Sequence, residues 1–466
     1  MAETKARHIA NLVEDDGDVK SAHLDNITVT PTAVSDQANT STGYLDVPSG
    51  TTAQRPTLDN AGGTRFNTTT GSLEFYDGTN WVSTNLIPNI NSITGTIYAG
   101  LSGRTLTLSV SNTTDTIDVK YYEGGTLIAT DDGGGSGVTV TNGSATSTVP
   151  SAVYNQTAGD TIRIQVFNVD GTPSSNYIDK TVVGVPSGGD SIVEPSSYTG
   201  GGYRSHTFLT GGTFTNTIAN LSVEYLLVAG GGGGGGGSTV SSLGGGGGGA
   251  GGMKTGTATL SAQGYTITVG PGGSGAVTDA SGTGTNGGSS SAFSDSVTGG
   301  GGGGTREGTQ TGANGGSGGG GSGNANDNGG LGTLNQGHDG GDADSGWGAG
   351  GGGGKGAAAN NVGSSDTSTA GGAGATNNYR TGSNITYAGG GGGGGTYNSQ
   401  SGASGGSGGG GNGGGPVSGG TTGGDGTDGL GGGGGGSAWA NTSTNSGPTR
   451  GGHGGDGIVV IRYQLP

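Results

Sequence analysis

Hydrophobic residues follow three patterns along this chain, and each predicts a different kind of structure. Between residues 86 and 185 they alternate with polar ones in short runs. Ile162-Arg-Ile-Gln-Val-Phe167 alternates clearly, and Ile117-Asp-Val-Lys-Tyr121 nearly as well. A period of two is the mark of a strand with one buried face. Similar runs recur at Leu106–Val110, Thr126–Ala129, Val138–Val140, Ala145–Val149 and Ile178–Val183, with turn signals such as Asp170-Gly171 between them. That spacing predicts an all-β sandwich over 86–185.

The second pattern is continuous. Val223-Glu-Tyr-Leu-Leu-Val-Ala229 and Ile458-Val-Val-Ile-Arg-Tyr463 are nearly unbroken apolar runs, as expected of strands buried on both faces. The third pattern is an absence. Between those two runs apolar residues are scarce, and strand-like pieces such as Thr257-Ala-Thr-Leu260 and Tyr265-Thr-Ile-Thr-Val269 interrupt a glycine-rich tract. Towards the other end, Ile9, Leu12 and Val13 fall at helical spacing before Asp15-Asp-Gly17, the one helix signal in the chain. Phe75-Tyr-Asp-Gly-Thr-Asn-Trp-Val82 predicts two strands joined by a turn.

Composition sharpens the third pattern. All but 22 of the 122 glycines lie beyond residue 199. They include the pure runs Gly230–Gly237, Gly244–Gly249, Gly299–Gly304, Gly350–Gly354, Gly389–Gly395 and Gly431–Gly436. Such a tract is either a flexible linker or a fold without an apolar core. The bracketing strands favour the fold. Collagen is excluded, because no Gly-X-Y period runs through the tract. What remains is a bundle of polyglycine helices of polyproline II type. Their outward backbone groups need partners, and only glycine lets backbones approach on every side. Eight residues at about 3.1 Å each make rods of about 25 Å.

The net charge of −17 argues against nucleic acid and anionic membranes as partners, and the absence of cysteine leaves no role for disulfides. No stretch is apolar enough to insert into a membrane, and the opening Met1–Ala10 lacks the apolar core of an export signal.

Ser49-Gly-Thr-Thr-Ala-Gln-Arg-Pro56, followed by Gly63-Thr-Arg-Phe-Asn-Thr-Thr-Thr-Gly-Ser-Leu-Glu-Phe-Tyr-Asp-Gly-Thr-Asn-Trp-Val82, closely resembles a module of tail fibres and other appendages of tailed bacteriophages, marine and cyanobacterial phages especially. Lys5-Ala-Arg7 and Gly17-Asp-Val-Lys-Ser-Ala-His-Leu-Asp25 look like the start of such proteins. The likeness covers about the first 83 residues. The stretch from 86 to 185 resembles an immunoglobulin-like domain without the disulfide. The frame Glu224-Tyr-Leu-Leu-Val-Ala-Gly-Gly, Gly264-Tyr-Thr-Ile-Thr-Val-Gly-Pro-Gly-Gly273 and Gly454-Gly-Asp-Gly-Ile-Val-Val-Ile-Arg-Tyr463 resembles a glycine-rich domain of phage and bacterial surface proteins.

These resemblances imply a mostly-β virion fibre protein in four parts. They are an attachment module (1–85), an immunoglobulin-like sandwich (86–185), a hinge (186–199) and a glycine-rich domain of bundled polyglycine II helices (200–466). They imply a homotrimer, other virion tail proteins as partners, and adhesion to a bacterial surface receptor, either a glycan or an outer-membrane protein. Assembly would take place in the host cytoplasm, with release by lysis. The rival readings are a head or tail decoration fibre with no specific receptor and, more remotely, a glycan-degrading tailspike.

No catalytic constellation stands out, and no cofactor is implied. Gly-x-Gly-x-x-Gly matches are ubiquitous here and lack the strand–turn–helix context that would give them meaning. Gly423-Gly-Asp-Gly-Thr-Asp-Gly-Leu-Gly431 matches a calcium-binding repeat once, through Asp425 and Asp428. True calcium repeats come in tandem. His338 lies near Asp339, Asp342 and Asp344, a weak oxygen-ligand set. Both groups read better as solvated polar turns than as metal sites. The bulky residues in the glycine-rich tract are the better candidates. Tyr379, Arg380, Tyr387 and Tyr397 surround one glycine run, while Trp347 and Trp439 sit beside others. Tyr, Trp and Arg dominate binding hot spots, so these six are the expected receptor-contacting residues.

Overall fold

The computed structural model describes residues 48–58, 61–69, 72–83, 87–113, 115–169, 171–238, 243–277, 282–306, 308–323, 327–343, 347–363, 366–396, 401–415, 422–439 and 450–465. The helix signal near Ile9 lies outside them. The protein forms two compact units, 1–85 and 86–466. It is nearly all β among the described residues, with helix limited to single turns at Thr52–Gln54 and Ser151–Tyr154.

The first unit is a four-stranded sheet in chain order: β1 (Ser49–Gly50), β2 (Thr64–Asn67), β3 (Ser72–Tyr76) and β4 (Trp81–Ser83). The Asp77 carboxylate accepts the N–H groups of Thr79 and Asn80 and so closes the turn between β3 and β4. Burial in this sheet is inverted. Arg65, Asn67 and Glu74 are at most 3 % exposed, whereas Phe66, Leu73 and Phe75 are 37–41 % exposed. The buried side is a polar network. Glu74 accepts from Arg55 at 2.5 Å and from Asn67 at 2.6 Å. The bond from Arg55 does most to hold the Glu74 carboxyl below its ordinary range.

The second unit begins with eight strands: β5 (Asn89–Thr94), β6 (Thr105–Ser111), β7 (Thr116–Glu123), β8 (Thr126–Asp131), β9 (Val138–Thr141), β10 (Ser144–Thr148), β11 (Thr161–Asn168) and β12 (Ile178–Thr181). They pair in the order β12-β11-β7-β9-β10-β6-β5, with β8 also beside β7. Alternate residues of both ends of this path, including Leu106, Leu108, Ile117, Val119, Ile162, Ile164 and Val166, converge on one core. This is a sandwich, and alternation in the sequence picks out its inward side chains.

The expected hinge is not a hinge. Within 186–199, β13 (Ser191–Val193) joins a five-stranded sheet and Ser187 bridges to Thr215. The Asp190 carboxylate also accepts the N–H groups of Leu209 and Thr210. The sheet runs β13, β14 (Arg204–Phe208), β23 (Ile458–Tyr463), β16 (Leu221–Val228), β17 (Met253–Leu260). One face carries Val223, Tyr225, Leu227, Val459 and Ile461 into a core that also holds Phe208 and Phe214. The other carries Leu226, Val228, Ile458 and Val460 into a second core. Both faces are covered, so β16 and β23 have continuous apolar sequences. Three two-stranded sheets complete the strands: β15 (Gly212–Thr215) with β18 (Gly264–Ile267), and the hairpins β19 (Ser290–Ala292) with β20 (Asp295–Val297) and β21 (Ala375–Asn377) with β22 (Ile385–Tyr387).

The glycine runs grow from this sheet. They are neither strand nor α-helix, yet their backbone groups are systematically paired. Gly230 and Gly233 donate to Gly288 and Thr285, Gly231 and Gly234 to Gly455 and Gly452, and Gly232 and Gly235 to Gly249 and Gly246, all at 2.8–3.0 Å. Their carbonyls accept with the same period: Gly230 and Gly233 from Gly300 and Gly303, Gly231 and Gly234 from Gly273 and Ala276, Gly232 and Gly235 from Gly434 and Ser437. Each neighbour is met every third residue, so one run is surrounded by six others. The run 389–395 has a similar environment. A Cβ on Gly230 through Gly235 would overlap the carbonyls of Pro271, Gly432, Gly301, Ser274, Gly435 and Gly304 in turn. That is why the inner runs are pure glycine.

Outer runs tolerate a side chain at every third position. Arg450, His453 and Asp456 point outward while the glycines between them are buried. The side chains of His453 and Asp456, with Asp425 and Asp428 of the neighbouring run, accept backbone N–H groups at the flank. Asp425 accepts the His453 N–H at 2.7 Å, and the His453 Nδ1 accepts the Gly275 N–H at 3.1 Å. One step along, Asp428 accepts the Asp456 N–H at 3.0 Å, and Asp456 accepts the Gly272 N–H at 2.7 Å.

Candidate functional site

The runs leave the sheet, turn and come back, so the bundle has a sheet end and a distal end. Gly230–Gly237 follows β16 outward, and the chain turns back where the Ser238 N–H meets the Leu243 carbonyl at 3.0 Å. The run 451–457 returns into β23. The five candidate contact residues that are described divide between the two ends.

Tyr379, Arg380 and Tyr387 belong to the sheet end, on the hairpin β21–β22, and they are structural. Tyr387 is fully buried, packed with Leu226, Val228, Met253, Ile458 and Val460. Burial raises its phenol above the ordinary value. A receptor cannot reach it, and the expectation that it contacts one is overturned. Arg380 is pinned through its carbonyl, which accepts from Ser205 Oγ at 2.7 Å. Tyr379 stacks on the guanidinium of Arg462, 3.8 Å from the ring centroid, with Tyr203 on the same group at 4.4 Å. Arg462 also donates to Glu224 at 2.9 Å, to the Tyr198 hydroxyl at 2.8 Å and to Asn378 at 3.2 Å. The hairpin is thus clamped on the sheet. Its aromatic residues cover an apolar face that β16 and β23 would otherwise expose. Nothing local in 375–387 signals this, because the partner strands are distant in sequence.

Trp347 and Trp439 lie at the distal end. Trp347 is 41 % exposed. Its N–H faces an Asp366 carboxylate oxygen at 3.5 Å, and the Asp366 carbonyl accepts from Thr396 Oγ1 at 2.9 Å. The Trp439 N–H donates to the Gly395 carbonyl at 3.1 Å. The run 389–395 is therefore flanked by the runs that carry the two tryptophans, bonded on one side to the run of Trp347 through Gly352 and Gly391 and on the other to that of Trp439. Tyr397 lies outside the described residues.

The acidic candidates are committed elsewhere. Asp425 and Asp428 accept the flanking N–H groups described above. Asp339 accepts the Gly332 N–H at 2.7 Å, and Asp342 accepts from Gly329 at 2.8 Å and from Asn361 at 2.9 Å. Asp344 lies outside the described residues. Among the described residues no group of three or more potential ligands converges as a metal site, and no helix is long and apolar enough to cross a membrane.

A family described as a glycine-rich domain matches residues 207–464, from the middle of β14 to the residue after β23. The matched segment holds β16, β17 and β23 of the five-stranded sheet, the end of β14, and the bundle, while β13 lies outside it. No curated protein matches the sequence.

Proposed function

The chain belongs to the glycine-rich domain family, and from that premise we propose that it is a tailed-phage virion fibre protein that adheres to the host surface through the distal end of its bundle. The observation that carries this reading is the segregation of the two ends. The sheet end is closed by buried aromatics, whereas the distal end presents Trp347 at the tip of a cross-braced backbone lattice. A rigid lattice presents such residues with little ordering cost on binding. The three-residue bonding period is that of the polyproline II conformation, and we take the runs to be polyglycine II rods. The sequence likeness of the first 83 residues to phage fibre modules supports attachment to a particle. The exposed Phe66, Leu73 and Phe75 face supports a homotrimer, in which other copies cover it.

The test is adsorption by particles carrying Trp347→Ala and Trp439→Ala together. The reading predicts normal assembly and lost adsorption. Normal adsorption by such particles would favour a decoration fibre.

A further inference from the structure

We infer that the sheet carries a second ligand site, a cleft for a neutral sugar at the end of β16 and β23 farthest from the glycine runs. This does not rest on the virion reading. The residues that face the Tyr387 core form three rows across the β16–β23 pair. Val228 and Ile458 are buried nearest the runs, Leu226 and Val460 are buried next, and Glu224 faces Arg462 in the third row. Tyr379 covers that third row and the hairpin goes no farther. Beyond it the same face continues with Ser222 on β16, and with Gln464 just past β23. Asn220 and the ring of Tyr203 complete the walls.

The cleft has a volume of about 480 Å³, within the roughly 300–1,000 Å³ typical of small-molecule sites. Its chemistry is specific in three respects. Glu224 and Arg462 neutralise each other at 2.9 Å, so no net charge awaits an ionic ligand. Their orientation is fixed by Tyr198, Asn378 and the two tyrosine rings, so little ordering is needed on binding. Ser222, Asn220 and Gln464 are exposed hydrogen-bonding side chains facing the same space. An amide, a second amide and a hydroxyl around an aromatic ring, over a neutralised ion pair, suit a ligand with many hydroxyls and one apolar face. That is a neutral hexose or the end of a neutral glycan.

The experiment is calorimetric titration of the full chain with the methyl glycosides of glucose, galactose, mannose and N-acetylglucosamine. At least one is expected to bind. Ser222→Trp fills the cleft and should abolish binding. Gln464→Ala, and Asn220→Gly at a backbone position with φ 56° that glycine accepts, should each weaken it about tenfold, the loss of one well-made hydrogen bond, without lowering the melting temperature. Trp347→Ala with Trp439→Ala should leave this binding intact. No binding by the unmodified chain would overturn the inference. So would binding that survives Ser222→Trp, or binding lost only in the tryptophan variant, which would place the sugar at the distal end.

Discussion

Val228 and Ile458 are direct strand partners, although the whole glycine bundle lies between them in sequence. The chain leaves the sheet after Val228, re-enters it once as β17 beside Val228 at Met253, and ends in it at Ile458 on the other side of Val228. The bundle is therefore built from two insertions between strands paired to β16, and sheet and lattice close each other. The stability of each should depend on the other.

The lattice depends on the absence of side chains at its inner positions. A Cβ on Gly392 would overlap the Ala403 carbonyl. Gly392→Val should force that contact apart and leave buried amides unpaired, at about 1–3 kcal/mol each. Thermal unfolding should show a clear loss of melting temperature. Gly363, where an added Cβ would meet nothing within 4 Å, is the control and should accept alanine with little change.

Buried His206 makes the sheet acid-sensitive. Its Nδ1 is 2.8 Å from the Gly188 carbonyl and its Nε2 is 2.9 Å from the Tyr463 hydroxyl. Burial, with the positive Arg204 nearby, lowers its pKa from 6.5 to about 4. The native state thus resists a proton that the unfolded chain accepts. Its stabilising contribution is complete above pH 6.5 and falls as the pH drops towards 4, by about 3 kcal/mol in all. Melting curves across this window should show the slope, and His206→Gln should remove it.

The turn between β19 and β20 holds two non-glycine residues in the left-handed region, Phe293 at φ 53° and Ser294 at φ 68°. Phe293 keeps ring contacts with Tyr225, Tyr265 and Phe214 at 5.4–6.2 Å. Those contacts offset its strain. Ser294 has no such ring contact. Ser294→Gly should stabilise by about 1 kcal/mol, while Phe293→Gly should destabilise. Denaturant titration measures both.

The acids once matched to calcium should act as backbone caps. Asp428→Ala removes the acceptor of the Asp456 N–H and should cost about 1 kcal/mol. Adding calcium or a chelator should leave the melting temperature of the unmodified chain unchanged. A calcium-dependent rise would contradict the assignment of Asp425 and Asp428 as caps.

Much of this architecture is legible in the sequence because it is local. Alternation marks Ile162, Ile164 and Val166 as inward-facing, and the unbroken run from Ile458 to Ile461 marks a strand buried on both faces. Glycine purity marks the inner runs, since any Cβ there meets a carbonyl. The site is less legible. Tyr379 and Tyr387 look like a binding patch beside Gly389–Gly395, but their environment is set by a fold-back onto β16 and β23 that no local pattern encodes. The flank is an intermediate case. Arg450, His453 and Asp456 recur every third residue, the period of the lattice itself. That spacing marks them as the outward-facing positions of the run.

The central claim is that the glycine tract is a hydrogen-bonded lattice and not a tether. Amide hydrogen exchange in Gly230–Gly235 and Gly389–Gly395 tests it most directly. Strong protection of both runs, lost in a single cooperative step together with the amides of β16 and β23, is the predicted result. Exchange of these glycines at the rate of an unstructured peptide, while the sheet stays protected, would contradict it.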